Sequence, residues 1–163
     1  MDVSGKVVVD IGAYVGDSSV YFILKGAKKV YAFEPYPSSY KLLLKVIKGN
    51  GLEGKIVPFN EALAKKLGET KLNEKYENPP SSDLKSSAEG KPIKLTTLKE
   101  IVERFNLKNA CLKMDCEGCE YSILKTPKKT LKAFQEIIMD YHYGYKNLKE
   151  KLEKSGFKVK NRA

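Results

Sequence analysis

Apolar residues along the chain alternate between short runs and stretches in which they recur every three or four positions. Lys6–Ile11 is a largely continuous apolar run, typical of a strand buried on both faces. Asp17–Lys25 carries Val20, Ile23 and Leu24 at helical spacing. Further strands are predicted at Lys29–Phe33, Lys55–Asn60, Ala110–Asp115, Gln135–Tyr141 and Phe157–Lys160. Further helices are predicted at Ser38–Lys48, Thr97–Phe105, Gly118–Lys125 and Tyr145–Lys154. This alternation predicts an α/β fold with a doubly wound, mostly parallel sheet.

The segment Gly68–Lys94 interrupts this alternation. It is rich in Pro, Ser and Gly and poor in large apolar residues, a composition typical of a loop. Within it, Lys71–Asn73 and Pro92–Leu95 could pair as short strands beside the main sheet. The 163 residues have the length of one domain, so we expect a single domain over 1–163 with an excursion at about 68–95.

Composition excludes two classes of protein. Hydrophobic residues make up 42% of the chain and charged residues 31%, which argues against intrinsic disorder. No run approaches the roughly 18 apolar residues of a membrane-spanning helix, and the first residues do not resemble a signal peptide. We therefore expect a cytoplasmic protein with no membrane partner.

The net charge of +10 comes almost entirely from lysine, because Arg104 and Arg162 are the only arginines. Proteins that read nucleic-acid sequence rely on arginine, whose planar group binds guanine edges and phosphates through paired hydrogen bonds. The charge therefore indicates a diffuse, solvated basic surface. An acidic or phosphate-bearing partner is the alternative.

Three cysteines, Cys111, Cys116 and Cys119, have a spacing that superficially resembles part of an iron–sulfur site. A fourth cysteine is absent from the sequence, and His142 is the one residue that could complete a zinc set. We expect no metal at these cysteines. Free thiols are the default in a cytoplasmic protein, and a Cys116–Cys119 disulfide is the alternative.

The segment Asp10–Gly16, DIGAYVG, lies where the first predicted strand meets the first helix. Its two glycines allow a sharp turn and a close approach of a ligand to the backbone. The spacing differs from the G-x-G-x-x-G dinucleotide fingerprint, and the acid Asp10 disfavours a phosphate. A carboxylate here suits a ligand with cationic groups and hydroxyls, such as S-adenosylmethionine. A purely structural turn is the alternative.

Polar residues also end the next two strands. Glu34 follows Gly12 by about 20 positions, the spacing at which an acid binds ribose hydroxyls in nucleoside-binding sheets. Asn60 and Glu61 end the third strand, where either side chain could bond an adenine amino group. For each of these residues, a helix or turn cap is the structural alternative.

Three acids, Asp115, Glu117 and Glu120, crowd the turn after the fourth strand. Their mutual repulsion destabilises the turn unless a helix N-terminus and a cationic ligand offset it, which favours a functional role. We expect Asp115 to face the reacting group and Glu120 to cap the helix. The fifth strand brings the single histidine, His142, to the same edge of the sheet.

The chain resembles the FkbM family of S-adenosylmethionine-dependent methyltransferases in four motifs that occur in order, D-I-G-A-x-x-G, E-P-x-P, N-E-A-L and L-K-M-D-C-E-G-C-E. The resemblance implies a Rossmann-like class I methyltransferase fold with a seven-stranded sheet, and usually O-methylation of a hydroxyl on a sugar or small metabolite. The expected donor-binding residues are Asp10, Gly12, Ala13, Tyr14, Gly16, Asp17, Ser18, Glu34, Pro35, Asn60, Glu61 and Ala62. The candidates for the base that takes the hydroxyl proton are Asp115, Glu117 and His142.

Three departures from the family pattern are visible. Six residues precede the first strand where the family has a helical segment, Asp140 stands where a glutamate is common, and the chain ends at Ala163. We therefore expect a sheet that is shortened at both ends. Two other functions also fit the sequence: methylation of an RNA such as a tRNA, which the lysine excess favours slightly, and donor binding without activity.

Overall fold

The computed structural model describes residues 1–72 and 90–161. The strands are β1 (Val7–Ile11), β2 (Lys29–Phe33), β3 (Ile56–Phe59), β4 (Glu61–Leu63), β5 (Gly68–Leu72), β6 (Lys91–Thr96), β7 (Ala110–Met114) and β8 (Phe134–Met139). The α-helices are α1 (Asp17–Leu24), α2 (Pro37–Gly49), α3 (Leu98–Arg104), α4 (Lys128–Leu131) and α5 (Lys146–Lys154). A 3-10 helix covers Cys119–Lys125.

The central sheet has five strands in the order β3-β2-β1-β7-β8, and every pairing in it is parallel. The chain first winds outward from β1 to β3 and later returns to place β7 on the other side of β1. The strand order therefore reverses between β1 and β7. In open α/β sheets, ligands bind beyond the carboxyl ends of the strands at such a point.

The central strands are apolar because both of their faces are covered. Val8 packs into a cluster with Phe22 of α1 and Leu43 of α2. Its neighbour Val9 points the other way, into a cluster that contains Ile101 of α3. This two-sided burial produces the continuous apolar runs from which the strands were predicted.

The predicted strands of the central sheet are confirmed, with ends shifted by at most two residues. The pairing of the two short segments is also confirmed, because Lys71 lies opposite Pro92 in the antiparallel β5–β6 pair. Asn73 lies outside the described residues. Strand β4 and helix α4 were not predicted, since they have three and four residues and are too short to show a period.

Several predictions were wrong in detail. Phe157–Lys160 forms no strand, because Phe157 and Val159 pack against the core without joining the sheet. The described central sheet accordingly has five strands rather than seven. Leu24, which was predicted to share a helical face with Val20 and Ile23, is 79% exposed, so the buried face of α1 is narrower than predicted. Within the described residues, no helix combines the length and apolarity needed to cross a membrane.

Candidate functional site

A cavity of about 340 Å³ lies beyond the carboxyl ends of β1, β2 and β7. Its volume falls in the range of ~300–1,000 Å³ that is usual for small-molecule sites. The predicted site residues that line it are Gly12, Tyr14, Asp17, Ser18, Glu34, Pro35, Glu61, Ala62, Asp115 and Glu117. The motifs at the ends of separate strands therefore converge on one cavity.

The turn after β1 depends on Gly12. Its φ is +76°, and a Cβ added there would stand 1.8 Å from the carbonyl oxygen of Asp115. The amides of Gly12 and Ala13 both donate to the carbonyl of Phe33, at 3.0 Å. Glycine is required here because the backbones that end β1 and β7 touch with no room for a side chain.

Glu34 is an acid on the cavity wall whose pKa is strongly raised. Its side chain is buried, and its two carboxylate oxygens accept hydrogen bonds from the amides of Tyr14 and Tyr36, each at 2.8 Å. Burial raises the pKa of Glu34 to about 7, although these hydrogen bonds and the charge of Lys113 act in the opposite direction. Glu34 therefore changes protonation near neutral pH.

Asp10, which was predicted to contact the donor, is not among the residues that line the cavity. It is fully buried, and its carboxylate accepts hydrogen bonds from Ser18 at 2.7 Å and Ser19 at 2.6 Å. Lys113 lies 3.1 Å from the same carboxylate and donates to the carbonyl of Gly12 at 2.7 Å. Asp10 therefore ties helix α1 and the Gly12 turn to strand β7.

Three other predicted donor-binding residues also lie outside the cavity lining. The amide of Asn60 donates to the carbonyls of Glu34 at 2.8 Å and Pro35 at 2.9 Å, so it fixes the turn that carries Glu34. A Cβ at Gly16 would stand 2.6 Å from Leu43, which makes Gly16 a contact between α1 and α2. Ala13 is buried in the cluster under these helices.

Glu61 lines the cavity, but its carboxylate is already bonded. Both oxygens accept hydrogen bonds from Arg104, at 3.0 Å each, and Lys94 lies 3.7 Å away. Arg104 also donates to Glu100, at 2.6 Å. This network holds the start of β4 against α3, so Glu61 contributes to the shape of the cavity rather than free charge.

The three predicted base candidates are neighbours: Asp115 and Glu117 line the cavity, and His142, which is not among the lining residues, lies beside them. One potential ligand atom from each of Asp115, Glu117 and His142 lies within 4.8 Å of the others. The Nε2 atom of His142 is 3.3 Å from a carboxylate oxygen of Glu117. The residues that follow the carboxyl ends of β7 and β8 are therefore close together, as predicted from the parallel sheet.

Glu120 caps the turn before the 3-10 helix, as expected. It is fully buried, and it accepts hydrogen bonds from the amides of Cys116 at 2.9 Å and Gly118 at 2.8 Å.

The prediction of free thiols at Cys116 and Cys119 was wrong, because these residues form a disulfide. The tight turn brings their Cα atoms to 5.5 Å, within the range that a disulfide spans. Cys111 is free and buried.

Sequence reasoning missed several residues of the cavity. Lys113, Tyr36 and Ser39 line it, and none of them was predicted. Lys113 had a visible signal, since it is a charge inside an apolar strand and lies in register with Asp10 of β1. Tyr36 lies in the E-P-x-P motif itself.

Comparison with known proteins gives one family match. The sequence profile of the Methyltransferase FkbM domain matches residues 10–159. A comparison with curated proteins finds no significant match.

The fold is similar to that of a solved FkbM methyltransferase, and two further structures match less well. The methyltransferase FkbM of Methylobacillus flagellatus superposes with a TM-score of 0.63 at 15% identity, over 95% of this chain and 37% of that one. A candidate RNA methyltransferase of Pyrococcus horikoshii, PH1948, has a TM-score of 0.49 at 18% identity, over 94% and 58%. The PRMT6-SAH structure has a TM-score of 0.47 at 20% identity, over 85% and 38%. The chain therefore spans less than two thirds of the length of each of these proteins.

Proposed function

The chain belongs to the Methyltransferase FkbM domain family, and from that premise we propose that it is an S-adenosylmethionine-dependent methyltransferase. The observation that carries the proposal is Glu34. Its buried carboxylate is held on the cavity wall by amides from two separate turns. A carboxylate so oriented is suited to accept hydrogen bonds from a ribose diol.

The residues around Glu34 suit the other groups of S-adenosylmethionine. Gly12 leaves backbone exposed to the cavity, and Asp17 and Ser18 line it at the start of α1. Ala62 supplies an apolar surface at the start of β4. Acidic side chains at Asp17 and Asp115 suit the ammonium and sulfonium groups of the donor.

The proposed reaction is methylation of a hydroxyl on a sugar or small metabolite. The donor supplies a methyl group on a cationic sulfur; the acceptor oxygen bonds to that carbon while the carbon–sulfur bond breaks and its electron pair stays on sulfur. The protein aligns the groups, which can supply effective molarities of ~10⁵ M or more. Asp115, Glu117 and His142 are the proposed groups that take the hydroxyl proton.

Calorimetry with S-adenosylmethionine tests this function. We expect Glu34→Ala to weaken donor binding roughly 10- to 100-fold, because a hydrogen bond to a charged group contributes about 1.5–3 kcal/mol. Glu53→Ala is the matched control, since Glu53 is an exposed glutamate outside the cavity lining. Failure of the unmodified protein to bind either S-adenosylmethionine or its demethylated product would falsify the proposal.

Donor affinity should also depend on pH through Glu34. Below its pKa of about 7 the side chain is protonated and uncharged, so it is a poorer acceptor for the ribose. Affinity is therefore expected to fall about tenfold between about pH 8 and about pH 6 if only the ionised form binds. The same titration with Glu34→Gln should be nearly flat. Equal slopes for the two proteins would remove Glu34 as the cause.

The two alternatives are an RNA acceptor and donor binding without turnover. Assays on a glycan pool and an RNA pool distinguish both from the main proposal. Salt-sensitive retention on RNA would favour the RNA acceptor, because phosphate contacts release counterions. We likewise propose a single domain over residues 1–163 and a cytoplasmic location.

A further inference from the structure

We propose that Asp115, Glu117 and His142 form a binding site for a divalent first-row metal ion at the mouth of the cavity. The role of the ion rests on the proposed function, because it would act on the methyl acceptor. Binding of the ion is a separate matter that can be measured without a donor or an acceptor.

The spacing of the three side chains fits an ion. Their potential ligand atoms lie within 4.8 Å of one another. Ligands that sit ~2.1 Å from a metal are at most about 4.2 Å apart. Neighbouring ligands of one ion are about 3.0–3.4 Å apart in octahedral or tetrahedral geometry, so a pair at the outer limit would have to close by up to about 1.8 Å, which rotation of these partly exposed side chains can supply.

The imidazole of His142 lies between two carboxylates. Nδ1 of His142 faces a carboxylate oxygen of Glu120 at 3.6 Å, while Nε2 faces Glu117 at 3.3 Å. Glu120 is itself buried and held by two backbone amides. At 3.6 Å this contact is longer than a hydrogen bond, and Nδ1 has no hydrogen-bond partner among the described residues. A small rotation of the ring would let Nδ1 donate to Glu120, which is the support that a metal-binding histidine usually has.

The charge balance also favours a cation. Within residues 1–72 and 90–161, no Lys or Arg forms an ion pair with Asp115 or Glu117. The nearby cation Lys113 is already bound to Asp10 and to the Gly12 carbonyl. In a chain with a net charge of +10, this leaves a local excess of negative charge beside the cavity. A divalent ion would neutralise it.

The three proposed ligands favour a metal ion of intermediate hardness. Carboxylates favour Mg²⁺ and Mn²⁺, while imidazole favours Zn²⁺ and other first-row ions, so one imidazole with two carboxylates suits Mn²⁺. Three protein ligands leave room for an acceptor oxygen. An ion in this place would lower the pKa of a bound hydroxyl. In the metal-bound protein that proton would pass to solvent before methyl transfer, and Asp115, Glu117 and His142 would hold the ion instead of taking the proton themselves.

The test uses the full chain, purified free of metal and titrated with MnCl₂ up to about 1 mM, with calorimetry and the Mn²⁺ electron paramagnetic resonance signal as readouts. We expect one site in the unmodified protein. His142→Ala and Asp115→Asn should each weaken Mn²⁺ binding roughly tenfold or more. Glu53→Gln, which removes an exposed carboxylate elsewhere, should leave it unchanged. Circular dichroism confirms that each variant is folded.

Two results would overturn the inference: no binding of Mn²⁺ up to that concentration, or binding that both cluster variants retain in full. Failures of the two proposals are distinguishable. Donor binding without Mn²⁺ binding removes the metal site alone, and Mn²⁺ binding without donor binding removes the methyltransferase proposal alone.

Discussion

Gly12→Ala is expected to destabilise the protein by roughly 3–5 kcal/mol and to abolish donor binding. A Cβ at this position would overlap the carbonyl oxygen of Asp115 at 1.8 Å, so β1 and β7 would have to separate. Separation would also displace the Tyr14 amide from Glu34. Urea unfolding measures the loss of stability, and calorimetry measures the loss of affinity.

Gly54→Ala is the matched control for backbone conformation. Gly54 has a φ of +82°, close to the +76° of Gly12, but a Cβ there would meet nothing within 4 Å. This variant should cost only the ~1–2 kcal/mol of placing an alanine in the left-handed region. If Gly12→Ala proves no more destabilising than Gly54→Ala, the close contact between β1 and β7 does not restrict which residue can stand at position 12.

Lys113→Met is expected to destabilise the protein by about 3–5 kcal/mol, because it leaves a buried carboxylate without its cation. Asp10 is fully buried and Lys113 lies 3.1 Å from it. The substitution also removes the hydrogen bond to the Gly12 carbonyl. Donor affinity should fall as well, since Lys113 holds the turn that forms the cavity wall. Urea unfolding and calorimetry again provide the measurements.

A double variant separates the charge from the packing. Asp10→Asn combined with Lys113→Met removes both charges while leaving a side-chain oxygen for Ser18 and Ser19, so it should recover part of the lost stability. A double variant as unstable as the sum of the two single variants would show that the ion pair itself contributes little.

Much of the fold could be predicted because its determinants are local in the chain. Strand β2 was predicted with its observed ends, Lys29–Phe33, since a short, mostly apolar run with Val30 and two aromatic residues between turns permits few other structures. Helix α3 was predicted at Thr97–Phe105 and observed at Leu98–Arg104, where the Thr97 side chain accepts a hydrogen bond from the amide of Glu100. The short elements β4 and α4 could not be predicted, because they depend on neighbours that are distant in the chain.

The candidate site was predicted less completely. Parallel strands place their carboxyl ends at one edge, so the convergence of Glu34, Glu61 and Asp115 on one cavity followed from their positions at strand ends. The pairing of Asp10 with Lys113 could not be predicted, because whether a carboxylate meets a ligand or a buried lysine depends on the strand placed beside it. The position of a residue in the sequence shows which strand end carries its side chain, but not which partner that side chain contacts.

Periodicity and strand-end chemistry therefore sufficed to identify an α/β protein with an acid-rich edge, since both are read from neighbouring residues. Folding decided the rest. It placed β7 against β1, paired Asp10 with Lys113, closed the Cys116–Cys119 turn and set His142 between two carboxylates. These contacts join segments that are far apart in the chain or depend on one specific backbone turn, and burial rather than local preference determines them.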